Sequence, residues 1–335
     1  MNWLGIDIGG ANLKFADGNA YAESHPFAMW KHSNRLGQEL RRFIADAPAS
    51  DHLAITMTGE LADCFDGKTA GVEFILEQVS NAADGRHTRI YLTDGNMVTP
   101  QVAQRKPLQA ASANWHALGR FAGRFAPDRS SLLIDIGSTT CDLIPLLDGE
   151  PFGVGEFDTE RLVRGELLYT GVERSPVCAL VPEVPYRNQR CMVAQELFAT
   201  TIDVYVILRD VEEDKTKTTT ADGRAATKAA ARARLGRMIC ADANHFNHRD
   251  AVVMAQAIAD AQEEMIAKTL AKVIDTMPST PEKVVISGQG EFLARRVIDK
   301  ALVDCSVVSL SQKLGPVVSC CAAAHAVAVL AREAG

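Results

Sequence analysis

Residues 3–18 read WLGIDIGGANLKFADG, and residues 132–149 read LLIDIGSTTCDLIPLLDG. Each sets an apolar run, then I-D-I-G, a short turn and a second apolar run in the same order. The pattern predicts strand, glycine turn and returning strand, made twice in one chain. A carboxylate at a strand end beside a glycine turn suits a phosphate–metal site. Glycine lets backbone N–H groups come close to an anion, and the aspartate can hold hydrated Mg²⁺ or orient a water. A single copy carries little weight, because hairpins use Asp and Gly for turn geometry alone. Two copies predict a clamp. Asp7, Gly9, Gly10, Asn12 and Lys14 form one jaw, and Asp135, Gly137, Ser138, Thr139 and Thr140 form the other. Lys14 offers a point charge to phosphate, the three hydroxyls offer donors, and Asp7 and Asp135 are the expected metal ligands.

Around these turns, strands and helices alternate. RLGQELRRFIADA (35–47) has helical spacing, HLAITMTGEL (52–61) is an apolar strand, AGVEFILEQVSNAA (70–83) a helix and TRIYLTDG (88–95) a strand. Such alternation predicts an α/β fold. From Ser131 the pattern restarts. GEFDTERLVRGELLYTGVERSPV (155–177) reads as glycine-rich loop, and residues 212–224 as a polar, mobile loop. Residues 225–277 read as mostly helical. KVVISGQGEFLARRVIDKAL (283–302) reads as strand, glycine turn and helix, and residues 317–334 as one closing helix. Two units are expected, 1–130 and 131–335, with helix 317–333 packing back on the first.

With 335 residues, 47% of them hydrophobic and 23% charged, the chain is long enough for two cores. Its net charge is −7. The basic residues of RAATKAAARARLGR (224–237) fall at helical spacing and read as a solvated helix face, so no nucleic-acid partner is expected. No apolar run suits a membrane span and no signal-peptide pattern opens the chain. The eight cysteines lack CxxC spacing and read as reduced thiols of a cytoplasmic protein. Cys240, Asp242, His245 and His248 match no zinc pattern and read as a capped helix start. No P-loop or G-x-S-x-G motif occurs.

Further candidates follow the strands. Thr58, Gly59 and Glu60 come after one, and Asp94 and Asn96 after another, at the strand ends where open α/β sheets bind ligands. Asn114 and Trp115 are candidate substrate contacts, with Trp115 reading more as core. Arg164, Glu166, Tyr169, Thr170 and Arg174 cluster after the second hairpin. Asp142, just past the second turn, is the candidate proton acceptor, with turn capping as its alternative role.

The two hairpins, followed by S-G-Q-G at 287–290, resemble the phosphate-1, phosphate-2 and adenosine-contacting turns of the actin-like ATPase, sugar kinase and Hsp70 superfamily. That resemblance implies roles for Gly288 and Gly290 at a ligand. DIGGANLKFA, DIGSTTCDLIPL, RGELLYTGVERSPV and ATTIDVYVILRDVEED, with the stretch to MICAD at 238–242, resemble the hydantoinase/oxoprolinase-related branch. Within it they are similar to proteins linked to tetrahydromethanopterin-dependent one-carbon transfer. That resemblance implies a cytoplasmic transferase joining an aminomethylfuran diphosphate to a tyramine-derived phenol, with Mg²⁺ and loss of diphosphate, toward a methanofuran-type cofactor. The first turn carries G-A-N where ATPases of the superfamily place Ser or Thr after the glycine, so ATP stays open as a ligand. An ATP-dependent kinase, a cyclic-amide hydrolase and a non-catalytic nucleotide-binding regulator remain alternatives, and the chain is compatible with a homodimer.

Overall fold

The computed structural model describes residues 1–127, 129–302 and 305–335. Its first sheet has the order β3-β2-β1-β4-β5-β6, formed by Trp3–Ile8 (β1), Asn12–Ala16 (β2), Ala22–Pro26 (β3), His52–Met57 (β4), His87–Tyr91 (β5) and Met97–Val98 (β6). Its second sheet has the order β10-β8-β7-β13-β14. The strands are Ser130–Ile136 (β7), Cys141–Leu147 (β8), Leu167–Leu168 (β10), Lys283–Ser287 (β13) and Ser306–Ser309 (β14), and Glu150–Pro151 (β9) also pairs with β8. A small ribbon joins Glu183–Tyr186 (β11) to Gln189–Met192 (β12).

The two sheets repeat one plan. β1 lies between antiparallel β2 and parallel β4, and β7 lies between antiparallel β8 and parallel β13. Covered on both faces, the central strands carry nearly unbroken apolar runs; every residue of β1 is buried. This duplicated α/β arrangement is the actin-like ATPase fold that the two hairpins imply.

Helices Leu36–Asp46 (α1) and Lys68–Ala82 (α2) pack beside the first sheet, with Leu36, Leu40, Phe43 and Ile44 forming the buried stripe of α1. The second sheet is covered by Thr201–Leu208 (α5), Lys228–Arg237 (α6), His248–Ile274 (α7) and Glu291–Ala301 (α8). A third cluster of buried residues lies between the sheets. Trp115 and Leu118 of helix Asn114–Ala122 (α3) and Val327 of the last helix, Ala322–Ala334 (α9), meet Trp3 and Ala54 from one sheet and Leu133, Ile144 and Val285 from the other. α9 crosses β1 so closely that a Cβ on Gly5 would lie 1.9 Å from the Ala324 carbonyl oxygen.

Several local expectations change. The loop expected at 155–177 contains helix Asp158–Arg164 (α4), which Gly165 ends at φ +80°, and the strand β10. The closing helix is two helices, Pro316–Cys320 and α9, broken at Cys321. Arg234, read as part of a solvated face, is fully buried and bridges Asp203 and Asp222. The polar stretch 212–224 is tied down by Asp222, which also pairs with Arg237, and by an ion pair from Lys217 to Glu173. Asn247 and Asp250 cap α7 reciprocally, each at 3.0 Å. All eight cysteines are free. Among the described residues no helix is long and apolar enough to cross a membrane.

Candidate active site

The two hairpins match residue for residue. In the first, Asp7 faces Lys14 and Ile8 faces Leu13; in the second, Asp135 faces Asp142 and Ile136 faces Cys141. Each turn is closed by the same bond: Gly9 N–H donates to Asn12 O and Gly137 N–H to Thr140 O, both at 2.9 Å. Those two amides are therefore spent on turn closure. The next two in each turn, on Gly10 and Ala11 and on Ser138 and Thr139, donate to no protein group among the described residues.

Both turns open onto one cavity of about 220 Å³. Its wall takes Asp7, Gly9, Gly10, Asn12, Lys14 and Thr58 from the first unit and Asp135, Gly137, Ser138, Thr139, Thr140 and Asp142 from the second. Asn114, Trp115, Tyr169 and Arg174, all candidates from sequence, also line it, as do Ser112, Asp158, Arg161, Leu61 and Leu167.

Buried charges dominate this wall. Lys14 is raised above the ordinary lysine value: burial disfavours its charge, but Asp7 and, more weakly, Asp135 and the Cys320 and Cys321 thiols outweigh that. Burial pushes Asp7 up against the pull of Lys14, and its Oδ1 is buried with no hydrogen-bond partner. Burial, aided by Asp142, raises Asp135 to about 6, with Lys14 opposing. Four aspartates thus face the cavity with three basic side chains, Lys14, Arg161 and Arg174.

Asp142 is not the free proton acceptor expected from sequence. Its Oδ1 accepts from Arg161 at 2.8 Å, and Arg161, 1% exposed, also donates to Glu166 O and lies 4.1 Å over the Trp115 ring. Asp142 anchors that arginine. No local signal separates Arg161 from Arg164, one turn on, because in a stretch that reads as loop no helical phase tells the inward side chain from the outward one.

Other candidates lie off the wall. Arg164 turns outward to Gly153 O at 2.6 Å. The Glu166 carboxylate accepts from Gly155 N–H at 2.7 Å. Thr170 is buried between Ser175 and Gln262. Asp94 caps the amide of Asn96 and faces Lys106. Gly288 and Gly290 pack behind the second hairpin: Gly290 N–H donates to Ile136 O at 2.9 Å, and a Cβ on Gly288 would lie 2.8 Å from Asp135 Oδ1. Glu60 stands behind the wall, reached through Ser112.

No group of three or more metal-ligating side chains occurs among the described residues. At 240–248 the Asp242 carboxylate accepts from Asn244 N–H, ahead of the cap that Asn247 makes on α7. Asp7 and Asp135 supply two hard oxygen donors, one with an unpartnered buried atom. That set fits a Mg²⁺ ion completed by phosphate oxygens and water, and does not fit an ion held by protein alone.

Residues 51–333 match the hydantoinase/oxoprolinase family. The chain is 32% identical, over 98% of its length and 97% of the relative's, to a protein of Methanocaldococcus jannaschii. That relative is named as the synthase of a furan-2-yl methanamine carrying a phenoxymethyl group with a gamma-L-glutamylaminoethyl chain. A Methanococcus vannielii protein of the same name is 27% identical over 62% of this chain and 92% of its own. Among solved structures, nucleotide-free acetone carboxylase superposes with a TM-score of 0.55 at 11% identity, covering 98% of this chain and 70% of its own. On these matches, and with the two hairpins in one register, the chain belongs to the hydantoinase/oxoprolinase family.

Proposed function

We propose that this chain is a transferase of methanofuran-type cofactor biosynthesis. It joins an aminomethylfuran diphosphate to the phenol oxygen of a tyramine derivative and releases diphosphate. The observation that carries this reading is the double cradle: two turns in one register, four unspent amides and one half-buried lysine around a single cavity. The synthase name of its relatives supplies the substrate class.

The furan ring stabilises the positive charge that builds on its methylene carbon as the bond to diphosphate breaks. The protein's part is then to stabilise the departing anion and to align the acceptor. Lys14, the amides of Gly10, Ala11, Ser138 and Thr139, and the hydroxyls of Ser138, Thr139 and Thr140 are donors for diphosphate oxygens. Asp7 and Asp135 would hold Mg²⁺ against the same oxygens, where its charge offsets theirs. Leu61, Trp115, Leu167 and Tyr169 give the aromatic acceptor an apolar wall. The enzyme needs only these small molecules and acts in the cytoplasm as a monomer or homodimer.

The test is incubation of the pure protein with the aminomethylfuran diphosphate, the tyramine derivative and Mg²⁺, followed by mass spectrometry for the ether. Ether formed with one equivalent of diphosphate is the expected result. A parallel sample with ATP tests the second reading, ATP-dependent chemistry, which the shared fold with an ATP-dependent carboxylase favours. ATP turnover without ether would overturn the transferase.

A further inference from the structure

The transferase reaction releases a phenolic proton, and Asp142 is engaged by Arg161. Another group must take that proton. Ser112 lies in the cavity wall, with its Oγ 2.7 Å from Glu60 Oε1 and 2.8 Å from Asp158 Oδ2. A hydroxyl has one hydrogen, so two carboxylates compete for it. Glu60 is fully buried, and its Oε2 has no partner at all. Asp158 Oδ2 has a second donor, Lys68 Nζ at 2.5 Å. Among the described residues Ser112 is the one side chain that donates to Glu60, so the Ser112–Glu60 contact is the path by which a proton can reach that acid. Ser112 sits at φ +50°, a conformation that a non-glycine residue adopts only when its surroundings impose it.

We propose, resting on the transferase reading, that Glu60 is the proton acceptor of the reaction and that Ser112 relays the proton to it. The phenol O–H bond breaks and its hydrogen joins Ser112 Oγ, while the Ser112 hydrogen passes to Glu60 Oε1. The phenol oxygen bonds to the furfuryl carbon. The carbon–oxygen bond to diphosphate breaks, and its electron pair leaves with the diphosphate. Glu60 ends neutral and returns its proton to solvent between turnovers.

The charged and titratable groups facing Glu60 are Lys68 at the start of α2, Asp158 on α4 and Tyr169 after β10. Burial is the dominant effect and lifts Glu60 to about 7; the Ser112 hydrogen bond and Lys68 pull it down, and Asp158 pushes it up. An acid of that strength is ionised often enough at neutral pH to accept a proton and weak enough to release it.

The experiment is single-turnover ether formation between about pH 5.5 and 9. For the wild type, the rate should rise through about pH 7. Glu60→Gln and Ser112→Ala should each slow ether formation by about 10²-fold or more and lose that rise, whereas Ser112→Thr should keep both. A wild-type rate and pH profile in Glu60→Gln would overturn the assignment alone. Absence of ether from the wild type would overturn the transferase reading and the relay with it. Carboxyl infrared difference spectra of the ligand-free protein add a check that needs no turnover. The part of the buried protonated-acid signal that titrates near pH 7 should be missing in Glu60→Gln, while that of Asp135 near pH 6 stays, and a glutamate ionised throughout would overturn the proposal.

Discussion

Lys14 and Asp142 stand at the same register position of the two hairpins, each the Cα partner of the aspartate of its own turn. The duplicated fold therefore carries opposite charges at equivalent points. Lys14 acts on Asp7 through its charge, while Asp142 pairs with Arg161 in the wall. One hairpin presents a cation to the cavity from its own strand. The other borrows its cation from α4.

Removing Lys14 tests which side holds the anion. Lys14→Met should weaken binding of inorganic diphosphate with Mg²⁺ about 10–100-fold, the worth of one charge-assisted hydrogen bond. Isothermal titration calorimetry reads this directly. Unchanged affinity would place the diphosphate elsewhere.

Arg161 is the structural keystone of the wall. Arg161→Ala strips Asp142 of its partner inside the protein and removes the cover over Trp115, a loss of about 3–5 kcal/mol expected for half of a buried ion pair. Arg161→Ala with Asp142→Ala should recover part of it, because no unpaired charge then remains. Thermal melts of the single and double variants measure the difference.

Glu60 makes stability depend on pH with a defined sign. Its value in the folded chain, about 7, lies above the ordinary glutamate value of 4.5, so the folded state binds the proton more tightly than the unfolded one. Its contribution is complete below the unfolded value and is lost as pH rises through about 7, a change on the order of 3 kcal/mol. Denaturant melts from pH 4.5 to 8 should show this decline, and Glu60→Gln should reduce it near pH 7 while leaving the part due to Asp135 near pH 6.

Gly288 fixes the back of the second aspartate. Its φ is +86°, and a Cβ would lie 2.3 Å from Ile136 O and 2.8 Å from Asp135 Oδ1. Gly288→Ala should cost more than the roughly 1–3 kcal/mol of backbone strain alone, and should lower affinity for Mg²⁺-diphosphate by displacing Asp135. Gly223→Ala is the control: its φ is +73° with nothing within 4 Å, so it reports the strain without the contact. Equal melting temperatures for the two variants would rule out the steric account.

Much of the fold was legible because its signals are local. The two I-D-I-G runs name the central strands, since a strand buried on both faces must be apolar along its whole length. Where a feature depended on a partner far along the chain, the sequence was silent or misleading. Arg234 sits among helix-favouring residues and resembles a solvated charge, but Asp203, 31 positions earlier, draws it inside. Cys320 and Cys321 read as part of one helix, yet the helix breaks at Cys321, whose Sγ donates to Glu23 O on the first sheet.

The site divides in the same way. Spacing alone selected the turn residues around Asp7 and Asp135, because a glycine beside a strand-end carboxylate is a short-range pattern. Only the tertiary structure showed which side chains are free to act. It committed Asp142 to Arg161, turned Arg164 outward and placed Ser112 between two carboxyls that lie 98 positions apart, Glu60 and Asp158. The sequence determined that two glycine turns of one register exist. The packing of α3, α4 and the two sheets decided which charges meet, because pairing and burial depend on distances that no residue's own neighbours can set.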